Sequence, residues 1–191
     1  SIEEIYDISN RSTTILKLKE NVKLNSCFLC EENSYIYITT NIGRIIKLKI
    51  SKNLPIMGKL AQGTSIIKLF PDESIINVLN INKNSIKDLV LLTNKGSFIK
   101  YNTNEIKTSN KGALGFIGLK FEDTKSKKDR VINCFTCNKY LYMKTNEEKY
   151  KKLDTDQIVN SPYEKEKKLE LKLNNNEFIQ SIFSMILPEN T

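Results

Sequence analysis

The chain has 191 residues, enough for one domain or one array of small units around a shared core, and 39% of them are apolar, so the core is thin. Thirty Lys and Arg against 22 Asp and Glu leave a net charge of +8, a balance that favours polyanionic partners. No histidine occurs, which removes histidine triads, histidine general bases and most zinc chemistry, and no apolar run approaches the roughly 18 residues of a membrane helix.

The opening, Ser1-Ile2-Glu3-Glu4-Ile5, has neither signal nor transit character and reads as part of a longer chain. A strand is expected at Lys17-Leu18, and the apolar run around Cys27-Phe28-Leu29-Cys30 follows. Tyr35 to Leu48 then reads as a hairpin turning at Thr40-Asn41-Ile42-Gly43, where Asn tolerates left-handed geometry and Gly supplies positive φ. Lys47 and Lys49 alternate with Ile46, Leu48 and Ile50, the period of a strand buried on one face. Further strands are expected at Lys68-Leu69 and Ile75 to Leu79, with a surface loop at Asn82 to Ser85. A second hairpin covers Leu89 to Tyr101 around Thr93-Asn94-Lys95-Gly96. After a Lys120-Phe121 strand and a polar loop at Asp123 to Asp129, a third hairpin covers Tyr140 to Leu153. There Glu148 stands where Gly is expected, which predicts a looser or rebuilt turn. Tyr163 to Glu170 has helical composition, yet the repeat frame makes Leu169 to Leu173 a strand, followed by a turn at Asn174 to Asn176.

These elements recur. Lys17-Leu18, Lys68-Leu69, Lys120-Phe121 and Lys172-Leu173 lie 51, 52 and 52 residues apart, and the hairpins keep the same beat. A strand-rich period of about 50 residues indicates propeller-type blades. The expected fold is all-β: four-stranded blades in repeats 12–62, 63–114, 115–165 and a partial fourth, 166–191.

Gly43-Arg44 with its strand, Leu54-Pro55, and Ala61-Gln62-Gly63-Thr64-Ser65-Ile66-Ile67-Lys68-Leu69-Phe70-Pro71 together resemble the C-terminal domain of DNA gyrase A. Leu91-Leu92-Thr93-Asn94-Lys95-Gly96 with Lys100 is similar to that family's recurring hairpin. The resemblance covers residues 12–153 clearly and implies a β-pinwheel with a strand exchanged between neighbouring blades. It also implies a double-stranded DNA partner bent around a basic rim, no catalytic residue or cofactor in the domain, and protein partners in the rest of gyrase A and in gyrase B. Two departures stand out. The glycine- and arginine-rich box of the family is absent from Asp7 to Thr13, where Arg11 is the single arginine, and fewer than four blades replace the usual five or six. A DNA-tethering domain of the topoisomerase IV type is therefore an alternative, as is a protein-interaction propeller whose charge reflects codon bias.

Lys47, Lys100 and Lys152 occupy one station of successive hairpins, flanked by Arg44, Lys49, Lys95, Lys149 and Lys151. With Arg11, they are the expected phosphate contacts, which position a duplex without reading its sequence. Cys27, Cys30, Cys134 and Cys137 form two C-x-x-C pairs that invite a four-thiolate zinc site. Their apolar strand context favours buried free thiols instead, in a reducing intracellular setting. Tyr35, Tyr37, Tyr140 and Tyr142 are expected to pack across strands rather than stack on bases. Gly112, Gly115 and Gly118 are not a phosphate loop, because strand residues follow them. The Asn, Lys and Ile bias suits an AT-rich genome, either a plastid-type organelle of a parasite or a bacterium.

Overall fold

Runs of β-branched and aromatic residues punctuated by Thr-Asn turns fold as antiparallel strands throughout. The structure is a computed structural model and describes residues 14–58, 60–82, 88–121, 129–136, 139–162 and 168–183. Its strands are β1 (Tyr35–Thr40), β2 (Arg44–Lys49), β3 (Ile75–Ile81), β4 (Asp88–Thr93), β5 (Ser97–Asn102), β6 (Phe116–Ile117), β7 (Val131–Thr136), β8 (Tyr140–Thr145), β9 (Tyr150–Asp154), β10 (Leu169–Glu170) and β11 (Ile179–Phe183). A single helical turn, Ile50–Asn53, and a 3-10 turn, Thr155–Gln157, follow β2 and β9. Arg11, Cys137, the loop residues 83–85 and 123–128, and the helix-like residues 163–167 lie outside the described residues.

The described residues form three sheets, ordered β3-β1-β2-β6, β10-β5-β4-β7 and β11-β8-β9. Each hairpin is local, but its neighbours are not. Sheet one takes β3 from the second sequence repeat and β6 from the third. Sheet two takes β7 from the third and β10 from the fourth. A blade in space is thus laced from three copies of the repeat. The edges carrying β3 and β7 face each other, where the Asn77 side chain donates to the Cys134 carbonyl at 2.7 Å. Strands β6 and β10 lie at the far edges.

The strands expected at Lys17, Lys68, Lys120 and Lys172 are not formed at those residues. Ladder pairing on the far edge lasts two residues, Ile117 and Phe116 against Arg44 and Ile45. The chain then wraps around the hairpin tip, with the Gly118 and Leu119 N–H groups donating to the Gly43 carbonyl. Leu171 N–H donates to the Gly96 carbonyl in the same way. Room for this approach comes from the turn glycine. A Cβ on Gly43, at φ +81°, would stand 2.5 Å from the Leu119 carbonyl oxygen.

Turn three is not rebuilt. Glu148 adopts φ +60°, and its N–H donates to the Thr145 carbonyl at 3.1 Å, as Gly43 does to Thr40 and Gly96 to Thr93. The Asn of each Thr-Asn pair has a role beyond turn geometry. Asn41, Asn94 and Asn146 each accept a backbone N–H through Oδ1, from Ser74, Arg130 and Phe178, at 2.8 to 3.0 Å. Their own backbone N–H groups donate back to the carbonyls of those same three residues. Each clamp fastens a hairpin to the strand arriving from the next repeat.

Burial follows this layering. Leu89, Val90, Leu91 and Leu92 of β4 are all fully buried because sheet two has a sheet on either side. One cluster, including Tyr37, Ile45, Leu91, Ile99, Ile106 and Cys134, fills the space between sheets one and two. Another, including Val90, Leu92, Phe98, Leu141, Met143 and Ile158, fills that between sheets two and three. Burial on this scale, about 2 kcal/mol per large side chain, is what holds the layers together.

Candidate nucleic-acid interface

A cation that contacts phosphate must reach solvent, and several of the expected ones do not. Arg44, 3% exposed, begins β2 and donates from Nε and Nη2 to the two oxygens of the buried Glu73 carboxylate, both at 2.6 Å. It also donates to the carbonyls of Leu114 and Lys68, both at 2.9 Å, and lies over the Phe70 ring. Burial pushes the Glu73 carboxyl up, but the hydrogen bonds from Arg44, the Phe70 N–H and Thr40 outweigh it and leave the group below its ordinary value. Arg44 is therefore a structural staple joining three segments, and the expectation that it contacts phosphate is corrected.

Lys47 is corrected for the same reason. It is 8% exposed, faces sheet two, and donates to the Thr103 carbonyl at 2.9 Å, as does the Tyr37 hydroxyl at 3.3 Å. Its ammonium lies 4.8 and 5.5 Å from the Tyr35 and Tyr37 ring centres, and burial lowers its pKa. Lys100 repeats the pattern one blade on, reaching the Thr155 carbonyl at 3.5 Å and Asp88 at 3.7 Å. The backbone joins in: Ser109 N–H donates to the Lys47 carbonyl and Ser161 N–H to the Lys100 carbonyl, both at 2.7 Å. The recurring lysine couples one blade to the next. Lys152, the third member, is exposed and packs 3.8 Å from the Tyr140 ring centre.

Of the flanking cations, Lys95 is exposed at its turn tip and Lys149 is exposed beside Glu147, whose carboxylate holds the ammonium above its ordinary value. Lys151 is half-buried, donating to the Lys172 carbonyl at 2.8 Å, and Lys49 is half-buried at the end of β2. A second set of lysines keeps the sequence period and reaches solvent. Lys17, Lys68, Lys120 and Lys172 are all exposed, and Lys120 and Lys172 lie three and two residues past the ends of the far-edge strands β6 and β10. Beside Lys120, Arg130 lines the same groove, of about 360 Å³, at the tip of hairpin one. The signal for this set was present as the Lys-Leu beat, which marks register in the sequence but carries charge in the fold.

Cys134 is fully buried, which pushes its thiol up to about 12, so it behaves as a small apolar residue. Cys27 and Cys30 are exposed, correcting the expectation that they are buried. Among the described residues no three Cys, Asp or Glu side chains converge on a metal-sized space. No helix among them is long and apolar enough to cross a membrane.

The sequence model of a family described as DNA gyrase C-terminal domain, beta-propeller, matches residues 34–82 and 87–138, just over half of the chain. No curated protein matches in sequence. Among solved structures, the C-terminal domain of DNA topoisomerase IV superposes with a TM-score of 0.74 at 17% identity, over 88% of this chain and 52% of that one. The E. coli ParC C-terminal domain superposes with a TM-score of 0.64 at 11% identity, over 91% of this chain and 71% of that one. This chain thus spans about half the length of the topoisomerase IV domain that it matches.

Proposed function

The chain belongs to the DNA gyrase C-terminal domain family, and from that premise we propose that it is a non-catalytic, double-stranded-DNA-binding domain of a type II topoisomerase. The observation that carries this reading is a set of exposed lysines that recur with the sequence period, Lys17, Lys68, Lys120 and Lys172, with Arg130 beside Lys120. Exposed ammonium groups spread over the repeats can neutralise phosphates and position a duplex without reading its bases. Bending DNA over tens of base pairs costs on the order of 1–6 kcal/mol, so contacts spread over several blades suit the task better than one dense patch. In the parent enzyme, strand breakage and ATP hydrolysis belong to other segments of gyrase A and to gyrase B.

Salt dependence tests the binding. Each phosphate neutralised contributes about −0.9 to the slope of log K against log salt. The double variant Lys120→Glu/Lys172→Glu is expected to flatten that slope by about 2 and to weaken binding at least tenfold. No binding at low salt by the unaltered chain would overturn the DNA reading and leave a protein-interaction module. Ligation of nicked circular DNA in the presence of the domain then separates two modes. A shift in linking number indicates the chiral wrapping that supports supercoiling in a gyrase, and binding without a shift indicates tethering of the topoisomerase IV kind.

A further inference from the structure

Grooves open at the tips of hairpins one and two, and the same construction makes both. At tip one the wrapping segment is held by the Gly118 and Leu119 N–H groups on the Gly43 carbonyl, and Val131 N–H donates to the Asn41 carbonyl at 3.0 Å. At tip two Leu171 N–H donates to the Gly96 carbonyl, and Ile179 N–H to the Asn94 carbonyl at 3.3 Å. Groove one, of about 360 Å³, lies between the tip residue Ile42, the wrap and Arg130. Groove two, of about 610 Å³, lies between the tip residue Lys95, the wrap and Phe178. The wrap lines the first with Leu119 and Phe121 and the second with Leu171 and Leu173.

Between the two grooves, charge and apolar bulk change places. Where tip one carries Ile42, tip two carries Lys95, and where Arg130 directly precedes β7, Phe178 directly precedes β11. Each groove therefore sets one cation against one large apolar side chain across a wrap of apolar residues, whichever wall supplies which. These groups are within reach of a ligand: Lys95 is exposed, Phe178 is 46% exposed, and Ile117 beside Ile42 is 57% exposed. The half-buried Arg130 holds its guanidinium 5.7 Å from the Phe121 ring centre, and the exposed Lys120 adds a second charge to groove one. The acidic neighbours are engaged elsewhere. Asp129 Oδ1 accepts the backbone N–H groups of Lys95 and Arg130, and the enclosed Glu177 carboxylate accepts that of Asn174.

We propose that each groove seats a stretch of the sugar-phosphate backbone of duplex DNA, with phosphate oxygens on its cation and the apolar face of a deoxyribose on Ile42 or Phe178. This rests on the DNA reading above and adds a second kind of contact to it. A phosphate held by an exposed cation is exchanged against salt ions. A sugar laid on Ile42, Ile117 or Phe178 instead removes apolar surface from water, a gain that does not depend on counterion release. A cation facing an apolar wall matches the alternation of phosphate and sugar along a strand, whereas inorganic phosphate would use the cation alone.

Binding of the full chain to a mixed-sequence duplex across a salt series tests this. Lys95→Gln and Arg130→Gln are each expected to flatten the slope of log K against log salt by about 0.9. Ile42→Ser and Phe178→Ser are each expected to weaken binding about threefold at every salt concentration and to leave the slope unaltered. Hydroxyl-radical footprinting of the unaltered chain on the same duplex reads the sugars directly and needs no variant, and two protected patches are expected. Binding without sugar protection overturns the proposal while the DNA reading stands, and so does binding that neither serine variant weakens. Absence of binding at low salt overturns the DNA reading and the grooves with it.

Discussion

Arg44 carries a charge that a surface reading assigns to DNA, yet it lies enclosed with Glu73. Removing one partner of such a pair strands the other in a medium that solvates it poorly, at about 3–5 kcal/mol. Arg44→Met is expected to lose that much in a urea titration at pH 7. Glu73 is held below its ordinary value in the fold, so its pairing stabilises fully above the usual carboxylate range and fades as pH falls through the lowered value. The gap between Arg44→Met and the unaltered chain is therefore expected to narrow at pH 3. Glu148 is the opposite kind of residue: exposed and left-handed at φ +60°. Left-handed geometry costs an L-residue about 1–2 kcal/mol, and glycine returns 0.5–1 of that in chain entropy, so Glu148→Gly is expected to stabilise by roughly 0.5–1 kcal/mol. A higher melting temperature for the variant is the readout, and a lower one would show that the ion pair between Glu148 and Lys144 matters more than the backbone.

At the scale of elements, the three hairpins were legible because Thr-Asn between apolar runs, closed by Gly in the first two, states its turn locally. The far-edge strands were legible only in part. The repeat frame reads Leu169 to Leu173 as a strand and β10 occupies its first two residues, but β6 and β10 both exist only through two residues of pairing with strands more than 70 positions away. Nothing in the local pattern after Ile117 or Glu170 says that the ladder stops there and a wrap begins. The Asn clamp was half legible. Its position in the turn was read, but its grip on a strand from the next repeat depends on the lacing. Asn94→Ala is expected to leave the Arg130 N–H only its 3.1 Å bond to Asp129 Oδ1 and to cost about 0.5–1.5 kcal/mol. Hydrogen exchange should locate the loss at Arg130 and the start of β7, with β4 and β5 protected as before.

For the whole molecule, the period of about 52 residues and the hairpin composition were sufficient for an all-β blade array. The site was harder to read. Two lysine rows share one period, and alternation alone does not tell a side chain facing the next blade from one facing solvent. Lys47 was assigned to solvent because a lysine usually ends there. Neighbouring blades supply the carbonyl and the aromatic rings that make its burial tolerable. The two rows should separate cleanly in one experiment. Lys47→Met is expected to change unfolding stability while leaving the salt slope of DNA binding unaltered, and Lys120→Glu to do the reverse.

The lacing has a mechanical consequence. Lys120 sits on the segment that leaves the far edge of sheet one and next forms β7, at the inner edge of sheet two. A duplex pulling outward on that lysine loads two sheets at once, as a stitch loads both pieces of cloth. No single blade can be peeled away by tension at the rim, and cutting the chain between residues 103 and 114 would unpick the far edge of one sheet together with the inner edge of the next.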